Sequence, residues 1–103
     1  MSKKPIVVLI KYLAQPGKDQ IAVQALSTLV ATVKSSEPEC QDITILQDAD
    51  TPGTILLVEH WSDRSTFVGT HMQQPHIQAF MQQAGDFLAG PPDISFWQPV
   101  SGA

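Results

Sequence analysis

Apolar residues occupy both parities of the first run, Ile6 to Ala14, with Lys11 its one charge, until Gln15-Pro16-Gly17 interrupts it. A β-branched run with no polar alternate face predicts a strand covered on both sides. The period then changes. From Lys18 to about Ser35 the apolar positions Ala22, Leu26, Leu29, Val30 and Val33 recur at steps of three and four, which predicts one amphipathic helix. Pro38 closes it, because the residue before a proline avoids helical geometry.

Gln41 to Gln47 alternates around Ile43 and Ile45, and the turn formers of Asp48 to Gly53 separate it from a second run, Thr54 to Trp61. The pair predicts a hairpin. Ser62 is the expected N-cap of a short helix that carries Phe67 and Val68 and ends at His71. Pro75 suits the first turn of another helix that presents Ile77, Phe80, Met81, Ala84 and Leu88 on one face. After Gly90-Pro91-Pro92, a last short strand is expected through Ile94, Phe96 and Trp97, ending at Pro99.

Strand, helix, strand, strand, helices, strand is the order of the ferredoxin-like split βαβ arrangement: an α+β fold with an antiparallel sheet and helices on one face. One parity of the third strand presents Ile55, Leu57, Glu59 and Trp61, and the other presents Leu56, Val58 and His60. Both are mainly apolar, so the face without helices must also meet something apolar. The simplest candidate is the same face of a second copy, which gives a homodimer.

Length and charge narrow the classes. At 103 residues the chain fits one domain, 1–103, with 1–4 and 100–103 expected as loose ends. A net charge of -4 lacks the footprint that a phosphate backbone demands, so no nucleic-acid partner is expected. Cys40 is the one cysteine; it reads as a small buried packer and fits a reducing compartment. The N-terminal apolar run is shorter than a signal-peptide core, and nothing approaches the ~20 apolar residues of a membrane span. A cytoplasmic protein without membrane contact is the expectation.

Candidate chemistry is concentrated in one stretch. All three histidines and one of the two tryptophans fall between His60 and His76, with Glu59, Phe67 and Met72 beside them. Strand alternation points Glu59 and Trp61 to one face and His60 to the other. A carboxylate inside the sheet is costly unless paired, so His71 is the expected partner of a buried Glu59. Histidine titrates near neutrality, which makes His71 the preferred proton acceptor, whereas His76, behind Pro75, suits a helix-capping or surface role. Trp61 and Trp97 read first as core or interface aromatics, and Tyr12 as a strand tyrosine anchored by its ring. Without a His-x-His or His-Glu-x-x-His spacing, no metal site is expected.

Pro16-Gly17-Lys18, Glu37-Pro38-Glu39-Cys40, Val58-Glu59-His60-Trp61 and the run from His71 through Pro75-His76 to Phe80, in this order, resemble the antibiotic biosynthesis monooxygenase family, and in particular its small quinol-monooxygenase-like members. The resemblance implies a dimeric α+β barrel and a pocket between sheet and helices in each protomer. It also implies a cofactor-independent monooxygenase in which the anion of a quinol or polycyclic phenol reacts directly with dioxygen. On that reading His71 is the base and Glu59 orients it, while Trp61, Phe67, Tyr12, Met72 and His76 contact a small aromatic substrate; no cofactor takes part. Glu39 stands where the family commonly has glycine, and Ile43 lies near a common aromatic position. The chain contains no asparagine, so the asparagine-dependent site sets of the haem-degrading and polyketide-oxidising relatives cannot be assembled. Two further classes stay open: an isomerase of small carbonyl compounds, and a non-catalytic ligand-binding or stress-response barrel.

Overall fold

The computed structural model describes residues 3–100. Four strands form one antiparallel sheet: β1 (Ile6–Leu13), β2 (Cys40–Gln47), β3 (Thr54–Trp61) and β4 (Asp93–Trp97), in spatial order β2-β3-β1-β4. The helices are α1 (Asp19–Ser36), α2 (Arg64–Val68) and α3 (Pro75–Gln83). This is the ferredoxin-like split βαβ topology that the element order predicts. Of the expected loose ends, residues 1, 2 and 101–103 lie outside the described residues, and 3, 4 and 100 carry no helix or strand.

The register settles the parities. Ile6, Val8, Ile10 and Tyr12 of β1 stand opposite Trp61, Glu59, Leu57 and Ile55 of β3, and all eight are buried on the helix side. Val7, Leu9 and Lys11 pair with His60, Val58 and Leu56 on the outer face, where Trp97 of β4 joins them. From α1, the predicted stripe of Ala22, Leu26, Leu29, Val30 and Val33 is buried against the sheet. Leu26 is wholly enclosed, and truncating such a leucine to alanine costs about 2–5 kcal/mol.

Local chemistry sets the joints. Gly17 supplies the positive φ of 76° that turns the chain from β1 into α1, a conformation that a Cβ strains whatever the space around it. In the hairpin, Asp48 Oδ1 accepts the backbone N–H groups of Asp50 and Thr51, which closes the turn and holds its carboxyl below the usual range.

Three local expectations are corrected. The N-cap of α2 is Asp63, whose Oδ1 accepts from Thr66 N at 2.8 Å, while Ser62 donates its hydroxyl to Glu39. His71 does not end that helix but opens a separate 3₁₀ turn, His71–Gln73. Finally, α3 stops at Gln83 rather than running on to Leu88. A 3₁₀ turn, Ala84–Asp86, follows, and Gln15 ties the segment to the end of β1: its Nε2 donates to the carbonyls of Gly85 and Leu88, and its N–H to that of Phe87. These tertiary bonds outcompete continuation of a helix that contains Gly85.

Candidate active site

Between the sheet and the helical layer lies a cavity of about 520 Å³. Ile10, Ile43 and Leu57 form its floor, α1 gives one wall through Leu29, Val30 and Val33, and α3 gives another through Ile77, Phe80 and Met81. The segment from Gly85 to Pro92, together with Ile94 of β4, completes the rim. Three polar side chains with titratable groups enter this apolar space: Tyr12, Glu59 and His71.

His71 is held on several sides. Its ring stacks on Phe67 at 5.0 Å and 25° and lies 4.6 Å from the Trp61 ring. Nδ1–H donates to both oxygens of Glu37, at 2.9 and 3.0 Å. Among the described residues Nε2 has no hydrogen-bonding partner, yet no buried side-chain nitrogen or oxygen is left unsatisfied, so Nε2 keeps accessible surface on a residue that lines the cavity. Burial pushes the His71 pKa below its ordinary value, against the pull of Glu37. At pH 7 the ring is therefore neutral, with its proton on Nδ1 and a lone pair on Nε2.

Glu59 has a different partner from the expected one. It is 3% exposed and accepts the indole N–H of Trp61 on Oε1 at 2.8 Å, rather than a proton from His71. Burial raises its pKa to about 7, with Trp61 opposing and Glu37 adding to the rise. Near neutrality this carboxyl is divided between acid and anion. Tyr12 packs edge to face on Phe80 at 6.2 Å, and burial, helped by Glu59, pushes its hydroxyl well above the ordinary range, so it stays a donor.

Of the residues singled out from sequence, Tyr12, Glu59, Phe67, His71 and Met72 line the cavity. Trp61 does not: it is fully buried behind Glu59 as its donor. His76 is also off the wall; its Nε2–H donates to Glu37 Oε2 at 2.6 Å, which replaces the expected capping or surface role. Trp97 and His60 are exposed on the outer face, and Cys40 is buried with its thiol pushed up by desolvation, as a packing residue should be.

Sequence reasoning did not assign a role to Glu37. It is the C-cap of α1, only 6% exposed, and gathers His71 and His76 onto one carboxylate. The available signal was electrostatic: an acidic residue at a helix C-terminus opposes the helix dipole and needs specific donors. Among the described residues no group of three or more His, Cys, Asp or Glu is arranged to hold a metal ion, and the facing atoms of this cluster are spent on one another.

Fold and pocket together define a ferredoxin-like α+β protein with an apolar pocket that opens to solvent and a histidine in its wall. Residues 5–83 match the antibiotic biosynthesis monooxygenase family, and the chain belongs to it. Its backbone is similar to that of PA3566 from Pseudomonas aeruginosa, with a TM-score of 0.86 at 20% identity, covering 98% of this chain and 99% of that one. It is likewise similar to Rv0793 from Mycobacterium tuberculosis, with a TM-score of 0.83 at 21% identity, covering 97% and 99%. In sequence it is 29% identical over 94 residues to the uncharacterized protein sll1783 of Synechocystis, covering 91% of this chain and 63% of that protein. Among the described residues no helix is long and apolar enough to cross a membrane.

Proposed function

We propose that the protein is a monooxygenase that oxidises a small quinol or polycyclic phenol with dioxygen and without a cofactor. The observation that carries this reading is the neutral His71 ring, anchored at Nδ1 by Glu37, with Nε2 opening on an apolar cavity. Nε2 takes the phenolic proton, and the resulting anion transfers electrons to dioxygen. For a quinol the balance is quinol plus O2 giving hydroxyquinone plus water: one oxygen atom enters the ring, and the other leaves with two hydrogens. A positioned base contributes ~100-fold to 10,000-fold, and apolar walls keep competing water away. Glu59 and the Tyr12 hydroxyl supply hydrogen bonds to the substrate oxygens.

Incubation with a panel of hydroquinones and anthrones, under air and under argon, tests the reading. A product heavier by one oxygen atom and lighter by two hydrogens, formed only under air, is expected; identical products in both atmospheres contradict it. A proton-transfer isomerase is the second reading, favoured by an acid and a base, Glu59 and His71, on one cavity. It predicts turnover under argon. Binding without turnover in either atmosphere would leave a non-catalytic barrel.

The proposal includes a homodimer joined through the outer sheet face. Leu13, Leu46 and Trp97 are about half exposed there, beside Val7, Leu9, Leu56 and Val58. Sedimentation equilibrium is expected to give a dimer at micromolar concentration, and Val58→Asp a monomer or an unfolded chain; a monomeric parent contradicts it.

A further inference from the structure

His76 takes no part in the cavity, yet it makes a 2.6 Å hydrogen bond from the first turn of α3 to the same carboxylate that holds His71. Glu37 lies at the C-terminal end of α1, where unsatisfied helix carbonyls repel a carboxylate, and it is buried. Both of its oxygens are engaged: Oε1 accepts from His71, and Oε2 accepts from His71 and His76 together. Without His76 the carboxylate is free to rotate about its last bond and to give itself wholly to His71.

We propose that His76 is a positioning residue for His71 that acts through Glu37: by occupying one carboxylate oxygen it fixes the group that fixes the ring. The inference rests on the reading of His71 as base. It has a geometric side, since the carboxylate's angle sets the direction of the Nδ1 hydrogen bond and with it the tilt of the ring. It also has an electrostatic side, since a carboxylate already accepting one hydrogen bond stabilises an imidazolium less.

The titratable groups that act on His71 are Glu37, at the end of α1, and His76 on α3, while Glu59 of β3 lines the same cavity. Tyr12 of β1 opens on the same cavity, and α2 contributes the uncharged Phe67 ring. Among the charged influences on His71 itself, Glu37 favours the imidazolium and His76 opposes it. His76 therefore keeps the base in its proton-accepting form.

The test is a ¹⁵N NMR titration of the His71 ring in the full chain, which needs no substrate. His76→Leu is expected to raise the His71 midpoint by roughly 0.5–1 pH unit and to move the acid limb of the turnover profile with it. His76→Gln, whose amide still donates to Glu37, is expected to stay near the parent. In a Glu37→Gln background, His76→Leu is expected to move the His71 midpoint much less, because only the direct repulsion between the two rings remains. An unchanged midpoint in His76→Leu, or the same shift with and without the Glu37 carboxylate, overturns the proposal. If His76→Leu does not fold, His76→Phe, which keeps a ring and loses the donor, carries the same comparison. A parent that shows no turnover refutes the base reading alone; the titration still decides the role of His76.

Discussion

Among the described residues two carboxylates are buried, and they are used in opposite ways. Glu37, at the end of α1, receives hydrogen bonds from two imidazoles and is absent from the cavity wall. Glu59, in the middle of β3, receives one bond from a neutral indole and faces the cavity. The first is stabilised by donors able to carry charge. The second has too little compensation for its burial, and its pKa climbs to about 7. Similar burial with different partners thus separates an anchor from an acid on one site.

The largest expected effect contrasts the residues that the two carboxylates serve. His71→Ala should lower turnover ~100-fold to 10,000-fold with the fold intact, whereas Glu59→Gln, which keeps an acceptor for Trp61, should cost roughly tenfold or less. Steady-state kinetics under air checks both. Next comes the anchor. Glu37→Leu leaves one buried and one half-buried ring donor without an acceptor and should destabilise by about 2–4 kcal/mol in urea unfolding, more than Glu59→Gln at the same pH.

A pH series separates the pair further. Glu59 has a folded pKa of about 7 against 4.5 for an ordinary glutamate, so the folded state binds more protons than the unfolded state between these values. Its contribution is fully present below pH 4.5 and is lost as pH rises through 7, a change of about 3 kcal/mol. Comparing the parent with Glu59→Gln by unfolding at pH 4 to 8 should show this slope in the parent and its absence in the variant. The smallest effect falls on the donor of Glu59: Trp61→Phe should cost about 1–3 kcal/mol and raise the Glu59 midpoint above 7, read by carboxyl ¹³C NMR.

The fold was legible because its signals are local and repetitive. The α1 stripe and the hairpin turn residues lead directly to the observed elements. The parity of β3 was not, since Ile55-Leu57 and Leu56-Val58 are equally apolar and only the pairing with β1 and the helical layer decides between them. The end of α3 is hidden for a related reason: Ala84 and Leu88 keep helical spacing, and the Gln15 bonds that redirect the chain come from 70 or more residues away. In the site, the aromatic and histidine cluster could be read from composition. The assignment of partners could not, because Glu37 lies 34 residues before His71 and only the tertiary packing of α1 against α3 brings the two side chains together.

The central claim is that the base belongs to the histidine held by Glu37, with Glu59 in a supporting role. Crystals soaked with a hydroquinone under argon, where oxidation is blocked, test this most directly. The account predicts a phenolic oxygen within hydrogen-bonding distance of His71 Nε2, with the His71 to Glu37 bonds intact. A phenolic oxygen seated on Glu59, with Nε2 of His71 unengaged, would contradict it.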